Sequence, residues 1–118
     1  VIEGHDMKRE SYEAQVLALA GTTLDLKWDD DLVASVGGKM YAVLCVTGAA
    51  AGALSFKVGQ EAFLAWTGRP GVRPAPYLAR AYWVQVAPGA GIAPREIAAA
   101  IRASHAMVAA GLTRAVRA

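Results

Sequence analysis

Apolar residues recur along this chain in two periods, and the switches between them mark the elements. In residues 8–20, Tyr12, Val16 and Leu19 repeat at helical spacing with Leu17 beside them. Gly21 follows where a C-terminal cap belongs, so this stretch reads as a helix. Residues 24–28 form a short strand, and Asp29-Asp30-Asp31 a solvated polar turn. Residues 32–36 and 39–46 flank Gly37-Gly38, a hairpin signal because primed turns need the positive φ that glycine adopts freely. In the second of these strands Met40, Ala42, Leu44 and Val46 share one face, and Tyr41, Val43 and Cys45 the other. Both faces are mostly apolar, which predicts a central strand partly covered on both sides.

Residues 47–52 are a loose connection of small residues. Residues 53–58 return as a strand with Leu54, Phe56 and Val58 inward and Ser55 and Lys57 outward. Residues 60–66 read as a short helix with Ala62, Phe63 and Trp66 on one side. Residues 67–76 hold Gly68, Pro70, Gly71, Pro74 and Pro76, which predicts a shaped loop without regular structure. Residues 82–87 are the last strand, and 88–91 a turn. Pro94 and Glu96 fit the first and third positions of a C-terminal helix. Ile97, Ile101, Val108, Leu112 and Val116 make its apolar face, with Arg95, Arg102, Arg114 and Arg117 opposite.

The pattern therefore predicts one α+β domain over residues 7–118. It has an antiparallel β-sheet with an N-terminal helix, a short middle helix and a long C-terminal amphipathic helix packed on it. The 118 residues, 55% hydrophobic and 19% charged, suit a single core. The longest uncharged run, 40–56, is shorter than the ~20 apolar residues a membrane span needs, so no membrane partner is expected. Residues 1–6 (V-I-E-G-H-D) look like a protease-site remnant with Met7 as a native start, and they are left out of the functional reading. No signal peptide is visible, and one cysteine, Cys45, cannot form an internal disulfide. A reducing, cytoplasmic setting and a monomer are the expectations.

Charge is unevenly spread. Residues 1–31 carry three basic and eight acidic side chains, a net of −5, and residues 32–118 nine basic and two acidic, a net of +7. Such asymmetry fits an anionic partner, or two halves that neutralise each other in the fold. A catalytic set is not apparent. His105 is the one histidine beyond residues 1–6, at the edge of an apolar helix face, and neighbouring Ser104 points about 100° away from it. Cys45 reads as a small core residue without a base beside it. The three aspartates lack the pattern of a calcium loop, so neither a metal nor any other cofactor is expected. The candidates for binding are Lys39, Lys57, Arg69, Arg73 and Arg80, interleaved with Tyr77, Tyr82 and Trp83, a set that suits an anionic, stacking ligand. The competing reading buries Trp83 and Tyr77 in the core and has the arginines bond loop carbonyls.

Several short motifs stand in a telling order: L-A-L-A-G at 17–21, V-G-G-K-M-Y at 36–41, Phe56-Lys57, Pro70-Gly71-Val72, Tyr77 to Trp83, and Ser104-His105. In this order the chain resembles the MmcQ/YjbR family over nearly all of 8–118. The resemblance implies a YjbR-like α+β fold and carries a DNA-binding label that is itself an inference from fold. Members of that family often have histidine near the position of Tyr77 and just before the tryptophan, where this chain has Tyr82, so no histidine role carries over. Two functions are therefore expected. One is a DNA-binding module contacting phosphates through Lys39, Lys57, Arg69, Arg73, Arg80 and Tyr77. The other is a protein- or small-ligand-binding domain with its site between loop 67–80 and the sheet beside Trp83. The first requires the basic residues to converge on one face.

Overall fold

The computed structural model describes residues 7–117, with side chains through Leu112. The readings on residues 1–6 and the side chains of Arg114, Val116 and Arg117 lie outside the described residues. The elements are α1 (Arg9–Leu17), β1 (Thr22–Lys27), β2 (Asp31–Val36), β3 (Lys39–Cys45), β4 (Leu54–Lys57), α2 (Gln60–Thr67), β5 (Val72–Pro74), β6 (Trp83–Val86) and α3 (Pro94–Arg117), with a 3-10 turn at Ala79–Ala81. The strands form one six-stranded antiparallel sheet in the order β1-β2-β3-β4-β6-β5.

All three helices lie on one face of this sheet. Leu32, Ala34, Val36, Ala42, Leu44, Leu54, Phe56, Val84, Val86 and Val72 project toward them, where Tyr12, Val16, Ile97 and Ile101 complete the core. α3 crosses β2, β3 and β4, α1 rests on β1, and α2 covers β5 and β6. Trp66 of α2 meets Phe56 edge to face at 5.2 Å. No helix among the described residues is long and apolar enough to cross a membrane.

The Gly37-Gly38 hairpin forms as its sequence predicts, with φ of 58° and 81° and Val36 opposite Lys39. Three expectations are corrected. The first concerns the loop 67–76, which contains a strand, β5. Its Pro74 is tolerated because β5 is an edge strand, where a missing N–H costs no ladder bond.

The second concerns the faces of β3. Strict alternation fails there because Ala34 pairs with Ala42 while Ser35 pairs with Met40, leaving Tyr41 as the extra residue of a β-bulge. The bulge brings Tyr41 into the core and sends Met40 to the opposite face with Val43 and Cys45. Tyr41 accepts a hydrogen bond from Thr22 Oγ1 at 2.7 Å and donates to the Val16 carbonyl at 3.3 Å.

Next to the bulge the β3–β4 register ends at Ala42 and Phe56, one residue short of Tyr41 and Lys57, and buried unpaired backbone groups are costly. Ser104 bridges these two. Fully buried on α3, its hydroxyl donates to the Tyr41 carbonyl at 2.6 Å and accepts from the Lys57 N–H at 3.0 Å. His105 beside it packs edge-on against Tyr41 at 5.0 Å, its Nε2 2.8 Å from the Ala20 carbonyl. Both residues bind the helix to the sheet.

The third correction is Trp28, which leaves the predicted strand 24–28. It stands in the β1–β2 turn, and β2 begins already at Asp31.

Candidate ligand groove on the uncovered sheet face

Among the described residues, no helix lies over the opposite face of the sheet. One cross-strand row runs its full width in register: Asp25, Val33, Val43, Ser55, Gln85 and Arg73, one residue from each strand. Both ends of the row are charged, with opposite signs, and its middle is apolar. Beside it lie Asp31 and Cys45, also a register pair.

A groove of about 440 Å³ lies over the middle of this face. Met40, Val43, Cys45 and Ala53 make an apolar floor, and Ser55 and Gln85 add polar atoms to it. Trp28 enters from the β1–β2 turn, and Pro76-Tyr77-Leu78 from the β5–β6 loop, so the walls come from opposite edges of the sheet. Among the described residues, Asp31 is the one charged side chain lining the groove. Desolvation first, and the neighbouring Asp30 carboxylate second, hold its carboxyl above the ordinary aspartate range.

The two wall aromatics stand in unusual places. Trp28 and Asp29 have φ of 55° and 66°, and Asp30 N–H closes the turn on the Lys27 carbonyl. Both central residues of this turn are left-handed, as in type I′, where Asn and Gly are the preferred residues. Pro76 and Tyr77 are the central pair of a second turn, closed by Leu78 N–H on the Ala75 carbonyl, with Tyr77 at φ 66°. Proline then a positive φ is the type II arrangement, whose second central residue is again Gly or Asn. Trp28 nonetheless remains 71% exposed and Tyr77 fully exposed. Each bulky side chain holds a strained backbone position and buries little in return.

The basic candidates do not converge. Lys39 and Lys57 line a shallow depression of about 310 Å³ against Met107, Val108, Gly111 and Leu112 of α3. Lys57 Nζ donates to the Ala81 carbonyl at 2.6 Å, which ties it to the 3-10 turn that carries Arg80. Lys39 and Lys57 thus share the hairpin end of the molecule, with the backbone turn that carries Arg80 next to Lys57. Arg69 lies on the helical side, paired through both terminal nitrogens with Glu96, one of them at 3.0 Å, and stacked 4.9 Å over Trp66. That pairing raises the Arg69 pKa and lowers that of Glu96. Arg73 sits on the groove side, its Nε donating to Gln85 Oε1 at 2.8 Å. Tyr77 is a groove wall and not core, whereas Trp83 is buried. Among the described residues, no three His, Cys, Asp or Glu side chains stand close enough together to hold a metal.

The sequence reading did not include Trp28, Asp31 or Ser55 in the site. The one available signal was a tryptophan set directly against three aspartates, where a turn has no structural use for it.

The comparisons with known proteins agree with this architecture. A Deinococcus radiodurans protein of known structure, with a DUF419 domain, superposes with a TM-score of 0.74 at 22% identity, covering 84% of this chain and 76% of its own. A Pseudomonas syringae protein solved by structural genomics gives a TM-score of 0.69 at 22% identity, covering 86% of this chain and 99% of its own. The search of curated proteins finds no match. The YjbR family model matches residues 17–107, most of the chain, and this protein therefore belongs to the YjbR family.

Proposed function

We propose that this domain is a binding module whose ligand occupies the groove on the uncovered sheet face. The observation that carries the reading is the placement of Trp28 and Tyr77. Two large aromatics stand exposed at left-handed turn positions on either side of one apolar floor. Folding alone favours Asn or Gly at both, so the aromatics are accounted for by what they touch when a ligand is present. The absence of catalysis is part of the proposal. Ser104 and His105 are engaged in hydrogen bonds between α3 and the rest of the fold, and Cys45 Sγ is turned toward the Thr47 carbonyl at 3.2 Å.

A library of aromatic fragments, screened by two-dimensional amide NMR, tests the reading. Hits should shift the amides of Trp28, Val43, Ser55, Tyr77 and Gln85 together. Met40→Arg, which fills the groove from its floor, should abolish those shifts. Hits that map elsewhere, or that survive Met40→Arg, would overturn it.

One observation favours a second reading, nucleic-acid binding at the hairpin end. Lys39 and Lys57 line one depression there, with the turn that carries Arg80 tied to Lys57, away from the aspartate turn at the opposite end of β2. Three cations can follow a phosphate backbone. Fluorescence anisotropy with duplex and single-stranded DNA at low salt is its test. An absence of binding there would remove it, because the electrostatic attraction is strongest in that condition.

A further inference from the structure

Resting on the groove reading, a narrower statement concerns what the groove takes. Its lining is chemically one-sided. Among the described residues it offers aromatic and aliphatic surface, one carboxylate, and no cation, since Arg73 turns to Gln85 instead. Lys27 of β1 stands opposite Asp31 in register, but no ion pair joins them among the described residues, and the other groups beside Asp31 are Asp30 and Cys45. Among the described residues the carboxylate is therefore not ion-paired. An acidic wall repels phosphates and carboxylates, and the π faces of Trp28 and Tyr77 favour a cation over them.

A second observation is independent of the charge. Ser55 lies on the central strand β4 and is among the residues that line the groove floor. The Gln85 amide next to it accepts from Arg73 through Oε1, which leaves its N–H₂ group for a ligand. The floor thus presents a hydroxyl and an amide donor side by side, within apolar walls.

We infer that the groove binds a small organic cation with a flat aromatic body, stacked by Trp28 and Tyr77, hydrogen-bonded at Ser55, and neutralised by Asp31. The size agrees, since about 440 Å³ is within the range of small-molecule pockets and too small for a folded partner.

Two dyes of similar size and opposite charge test the statement: thioflavin T, a permanent aromatic cation, and 1-anilinonaphthalene-8-sulfonate, an aromatic anion. Each is titrated by fluorescence, with amide NMR to locate it. Thioflavin T should bind saturably at the groove, at least about tenfold more tightly than the anion. Asp31→Asn should remove most of that preference by weakening the cation about tenfold, and Trp28→Asn should weaken both dyes. Melting curves of both variants confirm that they fold. If both dyes bind at the groove equally and Asp31→Asn changes neither, the cation inference fails while the groove reading stands. If neither dye shifts the groove amides, both fail.

Discussion

A tryptophan at a type I′ turn position is a conflict between local backbone preference and side-chain identity. A non-glycine residue in the left-handed region costs roughly 1–2 kcal/mol, and Asn much less. Trp28 is 71% exposed, so its removal forfeits little packing. Trp28→Asn should therefore raise stability by about 1 kcal/mol, read as a higher urea midpoint at unchanged slope. A loss of stability would mean that Trp28 is a structural residue, and the argument for the groove would weaken with it. Asp31 makes a related prediction with a pH signature. Its folded-state pKa is raised by burial and by Asp30. The folded protein therefore holds a proton more tightly than the unfolded chain, and stability falls as pH rises through the aspartate range and above it. Asp31→Asn should be more stable than the parent at pH 7. That advantage should vanish below the ordinary aspartate pKa, where both chains are neutral at this position. Thermal melts at several pH values would show the convergence, and a constant difference would contradict it.

At the scale of elements, the join between sheet and helix depends on a bulge that no periodicity announces. The two-residue alternation in β3 and the 3.6-residue period in α3 are each visible in the sequence, and the elements appear close to where they are expected. What the pattern does not contain is a register shift, because a bulge inserts one residue without changing composition. That shift moved Tyr41 into the core and Met40 into the groove, and so part of the groove floor was illegible from sequence. β5 was hidden for a different reason: three residues amid Gly and Pro have no period to detect. Trp83, Phe56 and the apolar face of α3 were legible because burial follows hydrophobicity directly. Partners were not. Nothing in the sequence pairs Arg69 with Glu96, which stand 27 positions apart. The end of the β3–β4 ladder fixes the value of Ser104. Ser104→Ala would leave the Tyr41 carbonyl and the Lys57 N–H without their partner in a buried site, at a cost of about 2 kcal/mol. Chemical denaturation would measure this, and a change under 0.5 kcal/mol would mean that water or a strand shift satisfies both groups.

For the whole molecule, charge position matters more than charge total. Within the formal charge of +2, an acidic turn stands at one end of β2 and Lys39 and Lys57, beside the turn that carries Arg80, at the other, while Arg69 is paired with Glu96. This distribution limits how strongly the domain can hold nucleic acid. Each phosphate neutralised on duplex DNA contributes about −0.9 to the slope of log K against log salt, so three contacts predict a slope of about −3. A protein making ~6–10 phosphate contacts loses ~10³–10⁵ in affinity between 50 and 200 mM salt. Here the same change should cost well under 10², and any binding should be weak at physiological salt. Lys39→Ala with Arg80→Ala should reduce the slope to about −1 while leaving thioflavin T binding at the groove unaltered, because neither residue lines it. A slope much steeper than −3 would show that the DNA footprint extends beyond the hairpin end. A parallel loss of dye binding would show that the two surfaces act as one site, with the acidic groove then serving to orient a strand held elsewhere.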